Sequence, residues 1–196
     1  MVIEQQPTQQ ANVSLSDAGR CPGDPGRATA RRPNRTRGAL MQTAQLPYLD
    51  EHVTSIAAGV DDVWRSLLEA VDESFTRPGA ATYARLVGCD DCEASGPRPL
   101  AQGSTISGFR VVAANPGREL VLEGRHRFSA YALIFRLEQV DSRRSRLRAE
   151  TRAAFPGVPG GVYRLLVFRT GFHVRVVRSL LSSVRRGAER RARSRI

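Results

Sequence analysis

The sequence contains no lysine, a single tryptophan and only three cysteines. The absence of lysine excludes the Gly-Lys-Ser/Thr end of a phosphate-binding loop, so the glycine-rich segment 157–161 is not one. No apolar run approaches the roughly 20 residues of a membrane-spanning helix. Residues 1–10 lack the basic start and apolar centre of a secretion signal. We therefore expect a cytoplasmic protein without a transmembrane segment.

Chemical motifs are also scarce. The lone pair Cys89 and Cys92 lacks the second pair of ligands that zinc needs, and no helix N-terminus follows to activate a redox thiol. We interpret the pair as ordinary reduced cysteines, and we predict no metal and no other cofactor. The three histidines are not accompanied by a Gly-x-Ser-x-Gly nucleophile elbow, which argues against a hydrolytic triad of that type.

The net charge of +11 is carried mostly by the two ends of the chain. Residues 1–40 contain six arginines and three acids, and residues 185–196 contain six arginines and one glutamate. The segment between them is nearly balanced, unlike a nucleic-acid-binding face. We expect no specific nucleic-acid partner, and at most a weak contact between the C-terminal tail and an acidic surface. The pattern does not indicate an oligomeric state.

Composition divides the chain into three parts. Residues 1–44 have few large apolar side chains and are predicted to be a disordered extension. We expect the native protein to begin at Met41, which would make the preceding residues an over-extended gene assignment. Residues 45–186 carry the patterned domain, and residues 187–196 form an Arg-rich tail.

The patterned domain begins with a predicted strand, Tyr48–Ala58, followed by two short helices. Apolar residues recur at helical spacing after the strand, and a second helix is predicted over Ala80–Val87. The apolar positions of the first helix are Val60, Val63, Trp64, Leu67, Leu68 and Val71. A weak strand is predicted over Cys89–Ser95.

Alternation then predicts an antiparallel meander between Gly103 and Gly157. Turn signals at Asn115-Pro116-Gly117, Ser129-Ala130 and residues 141–144 separate its strands. The inward positions are Leu120, Leu122, Gly124, His126 and Phe128, then Tyr131, Leu133, Phe135 and Leu137, then Leu147, Ala149, Thr151, Ala153 and Phe155. The outward positions, which we interpret as a solvated and ion-paired face, are Glu123, Arg125, Arg127, Arg136, Glu138, Arg148, Glu150 and Arg152.

A long amphipathic helix ends the patterned region. Its apolar stripe runs from Val162 to Val184 and includes the polar residues Arg169 and His173. Beyond Arg185 the stripe gives way to the Arg-rich tail.

This order of elements, together with Val63-Trp64, the segment from Gly103 to Val112 and the turn from Pro116 to Leu120, resembles the SRPBCC superfamily. That superfamily includes START-like lipid carriers and polyketide cyclases or aromatases. The resemblance implies an α+β helix-grip fold, in which a curved antiparallel sheet of six to seven strands wraps around the C-terminal helix and encloses an apolar cavity. It covers the chain from about Tyr48 to Arg186.

The candidate ligand-binding residues are those that these patterns direct into the cavity. His126 is the foremost, because an inward imidazole can donate to a carbonyl or accept a proton near neutral pH. Arg169 and His173 lie one helical turn apart. The full set is Trp64, Phe109, His126, Phe128, Tyr131, Leu133, Phe135, Tyr163, Arg169 and His173.

Two functions remain open at this point. The first is non-enzymatic binding of a small hydrophobic or amphipathic molecule such as a lipid, an isoprenoid or a polyketide, which we favour over catalysis. The second is an enzyme like the polyketide cyclases or aromatases, with His126 as its acid or base.

Overall fold

The structure is a computed structural model that describes residues 43, 45–77, 79–162 and 171–195. One six-stranded antiparallel sheet has the order β1-β6-β5-β4-β3-β2. Its strands are β1 (Tyr48–Ile56), β2 (Thr105–Ile106), β3 (Phe109–Asn115), β4 (Glu119–His126), β5 (Ser129–Asp141) and β6 (Arg144–Ala154). The helices are α1 (Val60–Thr76), α2 (Ala80–Val87) and α3 (Phe172–Arg193), and residues 157–162 are also helical. The predicted α+β helix-grip architecture is confirmed, with six strands.

The first strand closes the meander by pairing with the last one. β1 runs antiparallel to β6 with Ile56 opposite Ser145 and Asp50 opposite Thr151. The register shifts between Tyr48 and Asp50, which inserts Leu49 as a bulge residue. This pairing brings the beginning of the domain next to the strand that precedes α3.

The hydrophobic core lies between the inner face of the sheet and helices α1 and α3. Alternate residues of β4, β5 and β6 supply Leu120, Leu122, Phe135 and Leu147, all fully buried. They pack with Val63, Leu67 and Val71 of α1 and with Val177, Leu180 and Val184 of α3. Burying each such side chain contributes about 1.5–3 kcal/mol, so this layer holds the helices on the sheet.

Helix α3 extends past the end of the predicted stripe. It continues to Arg193, and Ala188 is completely buried. A Cβ on Gly187 would lie 3.2 Å from Ser66 Oγ, which shows how closely α3 approaches α1. Arg195 forms an ion pair with Asp62 at 3.0 Å. The small residues Gly187 and Ala188 allow this close packing of α3 on α1, although the apolar stripe has ended. The domain boundaries at residues 44 and 186 stay predictions.

Three local predictions were wrong. Helix α3 begins at Phe172, after Gly171 in the left-handed conformation, and not at Val162. Residues 89–95 form no strand, because Ser95 makes only an isolated bridge with Thr105. The turn between β4 and β5 lies at Arg127 and Phe128, since His126 pairs with Ser129 across a two-residue connection. Phe128 is therefore a turn residue and does not continue the inward series of β4.

The outer face of the sheet is ion-paired as predicted, but it is not uniformly solvated. Arg152 contacts Glu150, and Arg148 contacts Glu51 at 3.1 Å. Glu150 is nevertheless only 5 % exposed. A second buried apolar cluster also lies on this face, formed by Val112, Ala113, Val121 and Ile134. The apolar residues at outward positions of β3, β4 and β5 explain the difference.

Within the described part of the chain, no helix is long and apolar enough to cross a membrane. The predictions for residues 1–42, for Tyr163 and for Arg169 fall outside the described residues.

Candidate ligand-binding cavity

A cavity of about 400 Å³ lies between the sheet, the end of α1, α2 and the first turns of α3. Most of its wall is apolar or aromatic. That wall includes Leu49, Phe75, Ala80, Tyr83, Ala84, Phe109, Tyr131, Ala132, Leu133, Ala153, Phe155, Val176 and Val177. The polar groups of the lining are Ser74, Cys89, Ser107, His126, Ser129, Thr151 and His173.

Aromatic rings form a continuous run along one side of the cavity. Phe75 contacts Phe109 edge to face with ring centroids 4.8 Å apart. Phe109 in turn contacts Tyr131 at 5.1 Å, and Tyr131 lies 5.4 Å from the ring of His126. Such edge-to-face pairs stabilise a fixed ring arrangement by about 0.5–1.5 kcal/mol each. The aromatic side is therefore a preformed, largely apolar surface.

Tyr131 is held by two glycines. Its hydroxyl donates to the carbonyl oxygen of Gly108 at 2.7 Å. A Cβ on Gly124 would lie 2.3 Å from a carbon of the Tyr131 ring and 2.1 Å from Gly108 O. Gly124, which the alternation placed at an inward position of β4, thus provides the space in which the ring lies. The phenol is consequently oriented within the wall.

His126 is engaged within its own hairpin. Its Nδ1 accepts a hydrogen bond from the backbone N–H of Phe128 at 3.1 Å, and its Nε2 lies 3.3 Å from Ser129 Oγ. Because Nδ1 is an acceptor, the neutral ring carries its proton on Nε2, which donates to the Ser129 hydroxyl oxygen. Burial lowers the pKa of His126, so the ring is neutral at neutral pH.

A second polar group lies where β1, β6 and α3 meet. His173 Nε2 is 3.1 Å from Thr151 Oγ1 and 3.5 Å from Asp50 Oδ1. The other oxygen of Asp50 lies 3.6 Å from His52 Nε2. Both carboxylate oxygens are buried and have no hydrogen-bond partner among the described residues. The carboxylate of Asp50 thus lies between two imidazole rings, each with its Nε2 facing one of the carboxylate oxygens.

Cys89 is part of the cavity wall, with its Sγ 3.7 Å from the hydroxyl oxygen of Tyr131. Cys92 donates from its thiol to the carbonyl oxygen of Cys89 at 3.0 Å. Burial raises the pKa of Cys89, which keeps the thiol protonated at neutral pH. Within the described ranges no group of three His, Cys, Asp or Glu side chains is arranged to hold a metal ion.

The structure places five of the ten candidate site residues in the wall of this cavity: Phe109, His126, Tyr131, Leu133 and His173. Phe135 is fully buried in the core, and Trp64 packs against that core. Phe128 lies in the hairpin turn. Tyr163 and Arg169 fall outside the described residues.

Sequence reasoning missed Asp50, His52, Ser129 and several wall residues from α1 and α2. Alternation in β1 would have directed Asp50 and His52 inward together with the buried Ile56. Ser129 was assigned to a turn, and only the observed pairing with His126 places it in the wall. Phe75 and Tyr83 carry no sequence signal of their own, because their positions depend on how the helices dock.

No protein-family model matches the chain, and no curated protein matches it by sequence. Solved structures with a similar fold include the di-domain ARO/CYC StfQ from the steffimycin biosynthetic pathway, with 15 % identity and a TM-score of 0.50 over 78 % of this chain and 54 % of that one. The Zhui aromatase/cyclase from Streptomyces sp. R1128 has 15 % identity and a TM-score of 0.46 over 75 % of this chain and 96 % of that one. The Aha1 dimer from Colwellia psychrerythraea has 16 % identity and a TM-score of 0.43 over 71 % of this chain and 94 % of that one. At these identities the likeness concerns the fold alone, and the fold is of the helix-grip type.

Proposed function

We propose that this chain is a non-enzymatic binding protein that holds one small hydrophobic or amphipathic molecule of the lipid, isoprenoid or polyketide-like kind. The supporting observation is the cavity of about 400 Å³ with a mostly apolar, partly aromatic wall and a few polar groups. Ligand sites in proteins typically have volumes of about 300–1,000 Å³ and this kind of lining. Membership of the SRPBCC superfamily and a cytoplasmic location belong to the same proposal.

The arrangement of His126 favours binding over catalysis. The Phe128 N–H and Ser129 Oγ occupy the two ring nitrogens from within the same hairpin. A general acid or base needs a nitrogen that reaches the substrate directly or through one water. The bonds that orient His126 therefore suit a fixed polar group of the wall better than a proton-transfer group.

An enzyme of the polyketide cyclase or aromatase kind is the second candidate, because a neutral imidazole inside a cavity is able to accept a proton. His126→Ala separates the two functions. Loss of turnover of an added polyketide-like substrate, with binding of that substrate retained, would support the enzyme. Binding without turnover in both proteins would support the carrier.

The partner in this proposal is a small hydrophobic molecule, and no specific nucleic acid is included. The positive charge of α3 and of Arg195, which follows it, is partly compensated, since Arg191 contacts Glu69 and Arg195 contacts Asp62. Contact of the remaining arginines with an acidic surface stays a prediction, and exposed ion pairs of this kind contribute at most about 1 kcal/mol.

The decisive experiment is native mass spectrometry of the purified full chain, followed by solvent extraction of any bound molecule. Val176→Trp would place an indole in the cavity, whereas Val174 lies on the same helix and is not part of the wall. We expect Val176→Trp to abolish ligand retention and binding of the dye anilinonaphthalene sulfonate, and Val174→Trp to retain both. Equal binding by the two variants, or no binding by the wild type, would contradict the proposal.

A further inference from the structure

Two buried hydroxyl groups in the cavity wall each lie beside an imidazole. Ser129 Oγ is 3.3 Å from His126 Nε2, and Thr151 Oγ1 is 3.1 Å from His173 Nε2. Ser129 is only 4 % exposed and Thr151 only 5 %. Buried hydroxyls normally both donate and accept a hydrogen bond. The direction of the bond to the imidazole therefore determines whether each hydroxyl is left with a donor or with an acceptor for a ligand.

In both pairs the imidazole is the donor. The Phe128 N–H occupies Nδ1 of His126, which leaves the proton on the Nε2 that faces Ser129. Asp50 Oδ1 lies 3.5 Å from the same His173 nitrogen that contacts Thr151, and an acceptor oxygen beside Nε2 selects the tautomer that carries its hydrogen on this nitrogen. Each hydroxyl oxygen thus accepts from its histidine. Neither hydroxyl makes a second hydrogen bond to a described residue, so its own proton is left to be donated.

The two hydroxyls lie far apart along the wall of the cavity. Thr151 is paired with Leu133 across β5 and β6, and Ser129 precedes Leu133 by four residues on the same strand. Four residues of extended chain span about 13 Å. The wall between them is apolar and aromatic, because Tyr131 and Leu133 occupy the inward positions of β5 and Phe109 contacts the Tyr131 ring.

We propose that the cavity selects an elongated aromatic molecule that carries an acceptor oxygen at each end, one for the Ser129 hydroxyl and one for the Thr151 hydroxyl. This inference rests on the proposed binding function and specifies its ligand. Carbonyl oxygens suit both ends, because each hydroxyl offers a donor. The aromatic run from Phe75 to Tyr131 suits the flat centre of such a molecule.

A matched series of three biphenyls tests this recognition on the wild-type full chain. The first carries a para acetyl group on each ring, the second one acetyl and one ethyl group, and the third two ethyl groups. Acetyl and ethyl groups have nearly the same shape, so the series varies only the terminal oxygens. We expect each acetyl group to tighten the dissociation constant about fivefold, the usual effect of one neutral hydrogen bond. Calorimetry or dye displacement measures it.

Variants then assign each oxygen to its hydroxyl. Ser129→Ala and Thr151→Val each remove one donor, so either variant should bind the diacetyl compound about as weakly as the wild type binds the mixed compound. The double variant should not distinguish the three biphenyls. Ser179→Ala, at an exposed position of α3 outside the cavity, is the control and should behave as wild type. Circular dichroism and the midpoint of unfolding verify that each variant is folded.

The outcomes separate this inference from the proposal on which it rests. Equal affinity of the wild type for all three biphenyls would overturn end recognition while leaving cavity binding intact. A variant that weakens the diethyl compound as much as the diacetyl compound would show a packing role and would also overturn it. Failure of the wild type to bind any of the three would contradict cavity binding itself, and end recognition with it.

Discussion

Glu123, on the outer face of β4, allows a quantitative test of the electrostatics. Burial raises the pKa of its carboxyl to about 7. The cross-strand neighbour Arg110 does not compensate for this burial, because its guanidinium binds Asp91 with Nε 3.2 Å from Oδ2. Glu123 Oε1 is buried and has no hydrogen-bond partner among the described residues. The ionised carboxylate is therefore destabilising in the folded protein.

The sign of the effect follows from proton linkage. The ordinary pKa of 4.5 applies to the unfolded chain, so the folded state binds the proton more tightly between pH 4.5 and about pH 7. The free energy of unfolding consequently falls as the pH rises through this window. The whole shift would correspond to about 3 kcal/mol. Glu123 is only partly buried, and solvent screening reduces the expected effect to about 1–2 kcal/mol.

We expect Glu123→Gln to raise the free energy of unfolding by about 1–2 kcal/mol at about pH 8, and to change it little at about pH 4.5. Urea unfolding at both pH values measures the difference. Glu138→Gln, at an exposed position of the neighbouring strand β5, is the matched control and should show no such pH dependence. An equal effect of Glu123→Gln at both pH values would refute the argument.

Two further predictions concern the cavity wall. Burial lowers the pKa of His126, so its neutral form stabilises the fold above the ordinary pKa of 6.5, and this contribution is lost as the pH falls below that value. His126→Asn retains an acceptor for the Phe128 N–H. Between about pH 7.5 and 5.5 its free energy of unfolding should fall by less than that of the wild type. Urea unfolding measures both, and equal losses would be inconsistent with this. Gly124→Ala should cost more than about 3 kcal/mol or prevent folding because its Cβ meets Gly108 O at 2.1 Å. Thermal unfolding measures this loss of stability. Gly161→Ala is the control and should have nearly the stability of the wild type, because a Cβ on Gly161 would have no atom within 4 Å.

The strands and helices were predictable because their patterns are local. The alternation in β5 placed Tyr131, Leu133, Phe135 and Leu137 on one face, and all four lie on the inner side of the sheet, in the core or in the cavity wall. Side-chain direction alternates with period two along any strand, whatever the strand packs against. The same reasoning correctly located His126 inside.

Errors arose where a local signal had two solutions. Ser129 and Ala130 have the composition of a turn, but the observed pairing of His126 with Ser129 places the turn at Arg127 and Phe128. Moving the turn changes the face or the role of every residue near it. The turn composition consequently predicts Phe128 in the cavity wall and Ser129 outside it, and the structure shows the reverse.

The inward histidine and the apolar core were thus determined by the sequence itself, since they depend on periodicities of a few residues, whereas the fold class was implied by the resemblance of the order of elements to a known superfamily. The tertiary structure alone decided that Asp50 lies beside His173, more than a hundred positions later, because β1 pairs with β6 and α3 packs against both. It also decided that a cavity of about 400 Å³ lies between the sheet, the end of α1, α2 and the first turns of α3. Empty volume depends on how the sheet and three helices fit together, and no local pattern records that fit.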